Sequence, residues 1–114
     1  APGFAPAVAA FNPDWGYVEE AGDGVSISFQ WESVDGKCRV SAQLQASATS
    51  VSRHGTFPGI CEVQTLISEF ERFFSDALDR FKTDPQFFRE FLAPVLNAAK
   101  AAFYELLKLG AAAP

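Results

Sequence analysis

The chain has 114 residues, 48% of them apolar and 20% charged, and a formal net charge of −5. That length suits one domain, and that balance argues against a disordered chain. With no cluster of Lys or Arg on one face, nucleic acid is not an expected partner. No apolar run approaches the ~20 residues of a membrane-spanning helix, because Asn97 and Lys100 interrupt the most apolar stretch.

Residues 1–13 carry Pro2, Pro6 and Pro13 among alanines, which predicts an extended arm rather than a helix. Phe4, Val8 and Phe11 could anchor such an arm to a groove. The Ala1-Pro2 start fits either loss of an initiator Met or a mature end left after signal cleavage. The expected organisation is this arm, one α+β domain over 14–110, and a short tail at 111–114.

Trp15 to Glu20 reads as a strand. A three-residue Gly22-Asp23-Gly24 turn would set Tyr17 opposite Phe29 and Trp15 opposite Trp31, pairs that aromatic cross-strand contacts favour. This strand would then be a sheet edge, with Glu19 and Glu20 discouraging further pairing.

Residues 24–49 carry the clearest signal. Val25, Ile27, Phe29 and Trp31 alternate with Ser26, Ser28, Gln30 and Glu32, a period of two. Asp35-Gly36 follows, and Asp-Gly between alternating runs marks a type I′ hairpin, which needs φ > 0 at both central residues. Beyond it Cys38, Val40, Ala42, Leu44 and Ala46 alternate with Arg39, Ser41, Gln43 and Gln45. A two-residue turn pairs Trp31 with Val40, Phe29 with Ala42, Ile27 with Leu44 and Val25 with Ala46. A slip of one residue would turn every apolar side chain to the wrong face. The opposite face would be neutral and hydrogen-bonding, through Ser26, Ser28, Gln30, Ser41, Gln43, Gln45, Ser47 and Thr49. Such a face is either simply solvated or a flat polar surface that docks a partner.

The alternation fails after Thr49, so Ser50 to Gly59 reads as a loop. A helix is expected over roughly 60–82, where Val63, Leu66, Ile67, Phe70, Phe73, Phe74, Ala77, Leu78 and Phe81 form one apolar stripe. Its other face pairs Arg72 with Asp76 and Asp76 with Arg80 at i,i+4 spacing. Asp84-Pro85 is an N-cap followed by proline at N1, starting a second helix that runs to Leu109 with Gly110 as its C′ residue. Pro94 lies inside it, on the polar stripe, so the hydrogen bond it deletes faces water. It either kinks this helix or breaks it in two.

The expected fold is therefore α+β: a three-stranded antiparallel meander packed on a C-terminal two-helix hairpin. Twelve Phe and two Trp make the core aromatic. It should comprise Val25, Ile27, Phe29, Trp31, Val40, Leu44, Val63, Leu66, Phe70, Phe73, Phe74, Phe81, Phe88, Leu92, Val95, Phe103 and Leu106.

Cys38 and Cys61 fit either a disulfide or two buried thiols. A disulfide would imply an oxidising compartment, secreted or periplasmic; free thiols would imply the cytoplasm. His54, the only histidine, precedes Cys61, so a Cys-His nucleophilic pair is conceivable but has no third orienting group. No catalytic residue, metal ligand set or cofactor is assigned, and the chain is not expected to be an enzyme.

The last helix keeps a narrow polar stripe, and large exposed apolar patches mark interaction sites. Phe87, Phe91, Ala98, Ala99, Ala102, Phe103 and Leu107 form the candidate interaction surface. The expected function is a non-catalytic protein-protein interaction or assembly protein, binding through that flank, with self-association as one form of it. Two alternatives stand beside it: a small carrier with an apolar ligand between sheet and helices, and an acidic inhibitor or immunity-type protein.

Overall fold

The computed structural model describes residues 8–11 and 15–112 of the chain, with side chains from 15 to 108. Four long strands, β2 (Trp15–Gly22), β3 (Val25–Val34), β4 (Lys37–Ala46) and β5 (Thr49–Pro58), run antiparallel in chain order. A short strand, β1 (Val8–Phe11), adds to β2 and completes a five-stranded meander. Among the described residues four helical segments follow, and all lie C-terminal to the sheet.

The β3–β4 hairpin has the expected register. Trp31 faces Val40, Phe29 faces Ala42, Ile27 faces Leu44, Val25 faces Ala46 and Val34 faces Lys37. Asp35 and Gly36 both take positive φ, at 55° and 72°, as a type I′ turn requires. The expectation for the preceding turn is corrected. Gly22 pairs with Val25, so the turn is the two residues Asp23-Gly24, at φ 47° and 79°. The Asp-Gly preference outweighs the gain from pairing aromatics. Tyr17 therefore faces Gln30, Trp15 faces Glu32, and the core side of β2 carries Gly16, Val18 and Glu20. Glu20 is buried opposite Ile27 rather than guarding an edge.

The loop expected from Ser50 to Gly59 is corrected: all of it but Gly59 belongs to strand β5. Its inward positions are Val51, Arg53, Gly55 and Phe57. Arg53 and Gly55 interrupt the apolar alternation, which is why periodicity misses it. Ser47 supplies the left-handed turn residue at φ 55° without any Gly or Asn. The sheet edges are thus β1 and β5, and the expected three-stranded sheet has five strands. Of the expected arm, residues 8–11 are strand; residues 1–7 and 12–13, Phe4 included, lie outside the described residues.

Helix α1 spans Val63–Arg80, shorter than expected at both ends, and Ile60 is exposed. Asp84 caps the next helical turn, α2 (Pro85–Phe87), its carboxylate accepting from the Phe87 N–H at 3.4 Å. A π-helical turn, Phe88–Leu92, then leads without a break into α3 (Ala93–Ala112). Pro94 thus neither breaks the helix nor leaves a plain α-helical kink. The Ala93 N–H reaches back to the Phe88 carbonyl, and the wider turn lets the pyrrolidine ring follow the chain without meeting the preceding carbonyls. Gly110 lies within α3 rather than after it, carried along by the helix-forming alanines around it.

Both long helices pack on one sheet face, α3 over β1 to β3 and α1 over β4 and β5. Phe103 of α3 sits at the centre. Its ring stacks on Phe70 of α1 at 4.5 Å and meets Phe29 and Trp31 of β3 edge-on at 5.2 and 6.1 Å. Most of the expected core is buried, with Val18, Ala77, Leu96, Ala99 and Leu107 in addition. Val63 is exposed, and Phe74, Phe88 and Leu106 pack at the core's margin.

Candidate functional site

Among the described residues no helix covers the outer face of the sheet, and its side chains are set by strand register. Two neighbouring cross-strand rows stand out. Trp15, Glu32, Arg39 and Thr56 form one, and Tyr17, Gln30, Ser41 and His54 form the other. These eight side chains line a groove of about 470 Å³ across β2 to β5. Its size falls in the range of ligand sites, which combine aromatic surface with a few polar groups.

Each side chain reaches the groove for a local reason. Trp15 and Tyr17 are two residues apart on one strand, so both project outward. Their rings lie 6.2 Å apart and within 10° of parallel, and Trp15 remains 51% exposed. Glu32 and Arg39 face each other across β3 and β4, yet their side chains make no ion pair among the described residues. His54 and Thr56 arrive only because 49–58 is a strand.

The inner side of β5 is built differently. The Arg53 guanidinium lies 3.5 Å from Glu69 and 3.2 Å from Asp76, and Arg72 lies 3.9 Å from Glu69. Glu69 is buried between these cations, so its charge is compensated. Asp76 therefore pairs with the strand and Arg72 with Glu69, in place of the expected i,i+4 ladder. Arg53 Nε is buried and close to Glu69, but not aligned to hydrogen-bond with it. This cluster clamps α1 onto an edge strand.

Cys38 and Cys61 sit at disulfide-bonding distance, with Cα atoms 4.8 Å apart. Cys61 precedes α1 rather than lying in its first turn, and its N–H donates to Ser33 Oγ at 2.9 Å. A bond at that distance would consume the thiol that a Cys-His pair would need. Among the described residues no three His, Cys, Asp or Glu side chains gather as a metal cage. No helix there is long and apolar enough to cross a membrane.

The candidate surface on the last helix is divided by the fold. Ala99, Phe103 and Leu107 point into the monomer core, which corrects their assignment as surface. The helix faces two partners at once, sheet and α1, and so buries more of its circumference than a surface helix does. Ala98 and Ala102 are half-buried. Phe87 and Phe91 continue a ring ladder from Phe81, with centroids 5.6 and 5.5 Å apart, and Phe91 is 37% exposed. Between sheet and helices, where the carrier reading expects its apolar ligand, the rings of Phe29, Phe70 and Phe103 pack against one another.

Sequence reasoning missed Trp15, Tyr17, His54 and Thr56 as one site. The signal was present at β2. Asp23-Gly24 is the same dipeptide as Asp35-Gly36, and the same turn rule sends both aromatics outward. For β5 there was no equivalent signal. Comparison with protein-family models, curated proteins and solved structures finds no match to this chain.

Proposed function

We propose that the protein is a non-catalytic binding domain that takes its partner in the groove on the outer sheet face. The observation that carries this reading is the pair of adjacent rows, which joins two aromatic rings to polar side chains of both signs on a rigid four-strand platform. A site built on strands holds its geometry without loop ordering, so little entropy is lost on binding. The Cys38–Cys61 pair supports an oxidising compartment as its place of work.

A second reading keeps the helices as the docking face for a protein partner or a second copy. Leu78, 43% exposed on α1, and Phe91 at the end of the ring ladder favour it. Covalent footprinting separates the two. Acylation of His54 and oxidation of Trp15 are compared for the isolated protein and for the protein in an extract of its source cells. Protection of both residues supports the groove. Unchanged reaction there, with protection confined to Leu78 and Phe91, moves the contact to the helices.

A further inference from the structure

The groove's chemistry narrows its ligand. The outward side chains of β2 to β5 include two carboxylates, Glu19 and Glu32, against two cations, Lys37 and Arg39. The chain as a whole is at −5, so its excess acid lies outside these outward strand positions, spread over the turns and the helical half, with α1 contributing a net −2. An ionic ligand gains no net attraction from this balanced face, and a neutral one gives up none. The rows beyond the groove continue with hydroxyls and amides, as in Ser28, Gln43 and Ser52.

Trp15 offers an exposed apolar ring beside groups that need opposite partners. Glu32 only accepts hydrogen bonds, Arg39 only donates, and Gln30 does both. A ligand seated over all three must both donate and accept while presenting an apolar surface to the indole. A sugar ring has that combination: C–H groups on its face and hydroxyls around its rim. A proline-rich segment would use the same aromatic surface, but it brings carbonyl acceptors and few donors. It would desolvate Glu32 without satisfying it, which is costly.

We infer that the groove binds a neutral oligosaccharide, with one sugar ring stacked on Trp15 and its hydroxyls held by Gln30, Glu32 and Arg39. The inference rests on the groove reading above and names the ligand class for that site. Tyr17 backs Trp15 through its near-parallel ring and fixes the platform's tilt. The Ser28–Gln43–Ser52 row gives further sugar units hydrogen-bonding partners along the strands.

Calorimetric titration of the full chain tests this. The probes are neutral gluco-, xylo-, manno-, galacto- and chito-oligosaccharides, with decaproline as the rival. At least one saccharide is expected to bind saturably. Trp15→Ala and Glu32→Gln should each weaken it about tenfold or more, as loss of a central anchor does. Glu105→Gln, an exposed carboxylate on α3, should leave the affinity unchanged. Both groove positions are exposed, and circular dichroism checks that the variants fold. No saccharide binding, binding that survives Trp15→Ala, or decaproline bound in their place would each overturn the inference. Footprint protection of Trp15 and His54 without saccharide binding removes the ligand class and leaves the groove; loss of both results removes both.

Discussion

At Gly55 a side chain has no room. A Cβ there would lie 2.6 Å from Glu69 Oε1 and 2.8 Å from the Phe57 ring. Glu69 is only 3% exposed and is held by Arg53, so it cannot simply swing away. Gly55→Ala should therefore lower stability by about 1–3 kcal/mol, read as a shifted urea midpoint. A variant as stable as the parent would show that the contact gives way freely. Tyr104 makes a second residue-scale prediction. Its hydroxyl donates to Glu71 at 3.2 Å. Partial burial first, then the Glu71 charge and this hydrogen bond, push its phenol above the ordinary value of 10.0. The folded state thus holds the proton more tightly than the unfolded chain. The resulting stabilisation is full below the unfolded pKa and fades as pH rises through the higher folded value. Urea melts of the parent and Tyr104→Phe should differ by a constant amount at neutral pH and converge in strong alkali. A gap that widens with alkali would contradict the sign.

Among the elements, β5 depends most on what surrounds it. It has Arg53 and Gly55 at inward positions, so burial of apolar surface alone does not hold it. Helix α1 supplies Glu69 and Asp76 for Arg53, and the Gly59 N–H reaches the Gly36 carbonyl at 2.7 Å. A disulfide between Cys38 and Cys61, which lie at bonding distance, would tie the start of β4 to the approach to α1, across a sequence separation of 23. Closing a loop of that order stabilises by roughly 3 kcal/mol, largely by restricting the unfolded chain. Cys38→Ser with Cys61→Ser should lose about that much in urea melts, and a thiol assay on the unfolded, unreduced parent should find no free sulfhydryl. A full count of thiols would remove the bond and the compartment drawn from it.

For the whole molecule, the two faces of the sheet have separate tasks. The inner face and both helices share one aromatic core centred on Phe103, so the apolar surface of α3 is largely spent within the monomer. The outer face is left with an aromatic and polar groove. The helix-flank reading makes its own prediction at this scale. Sedimentation over a concentration range should show a species above the monomer mass, abolished by Leu78→Glu with stability changed by no more than about 0.5 kcal/mol. A strict monomer at every concentration removes self-association and leaves the groove as the principal contact.

The residues from 25 to 46 determined their own structure, because an Asp-Gly turn and strict alternation allow one register. The apolar stripe of α1 and the Asp84 cap were also legible, since helical period and capping are local properties, whereas which flank of α3 is buried was not, because Ala99, Phe103 and Leu107 meet the sheet and α1. What only the tertiary structure decided depended on distant partners. Arg53 can face inward because Glu69 and Asp76 wait on α1, so β5 is written in a different part of the chain from its own. Pro94 is accommodated by a π turn in the preceding residues, a solution local periodicity does not specify. The groove needed both outcomes of pairing, β2 turned by one residue and β5 joined to β4, before its aromatic and polar side chains could meet.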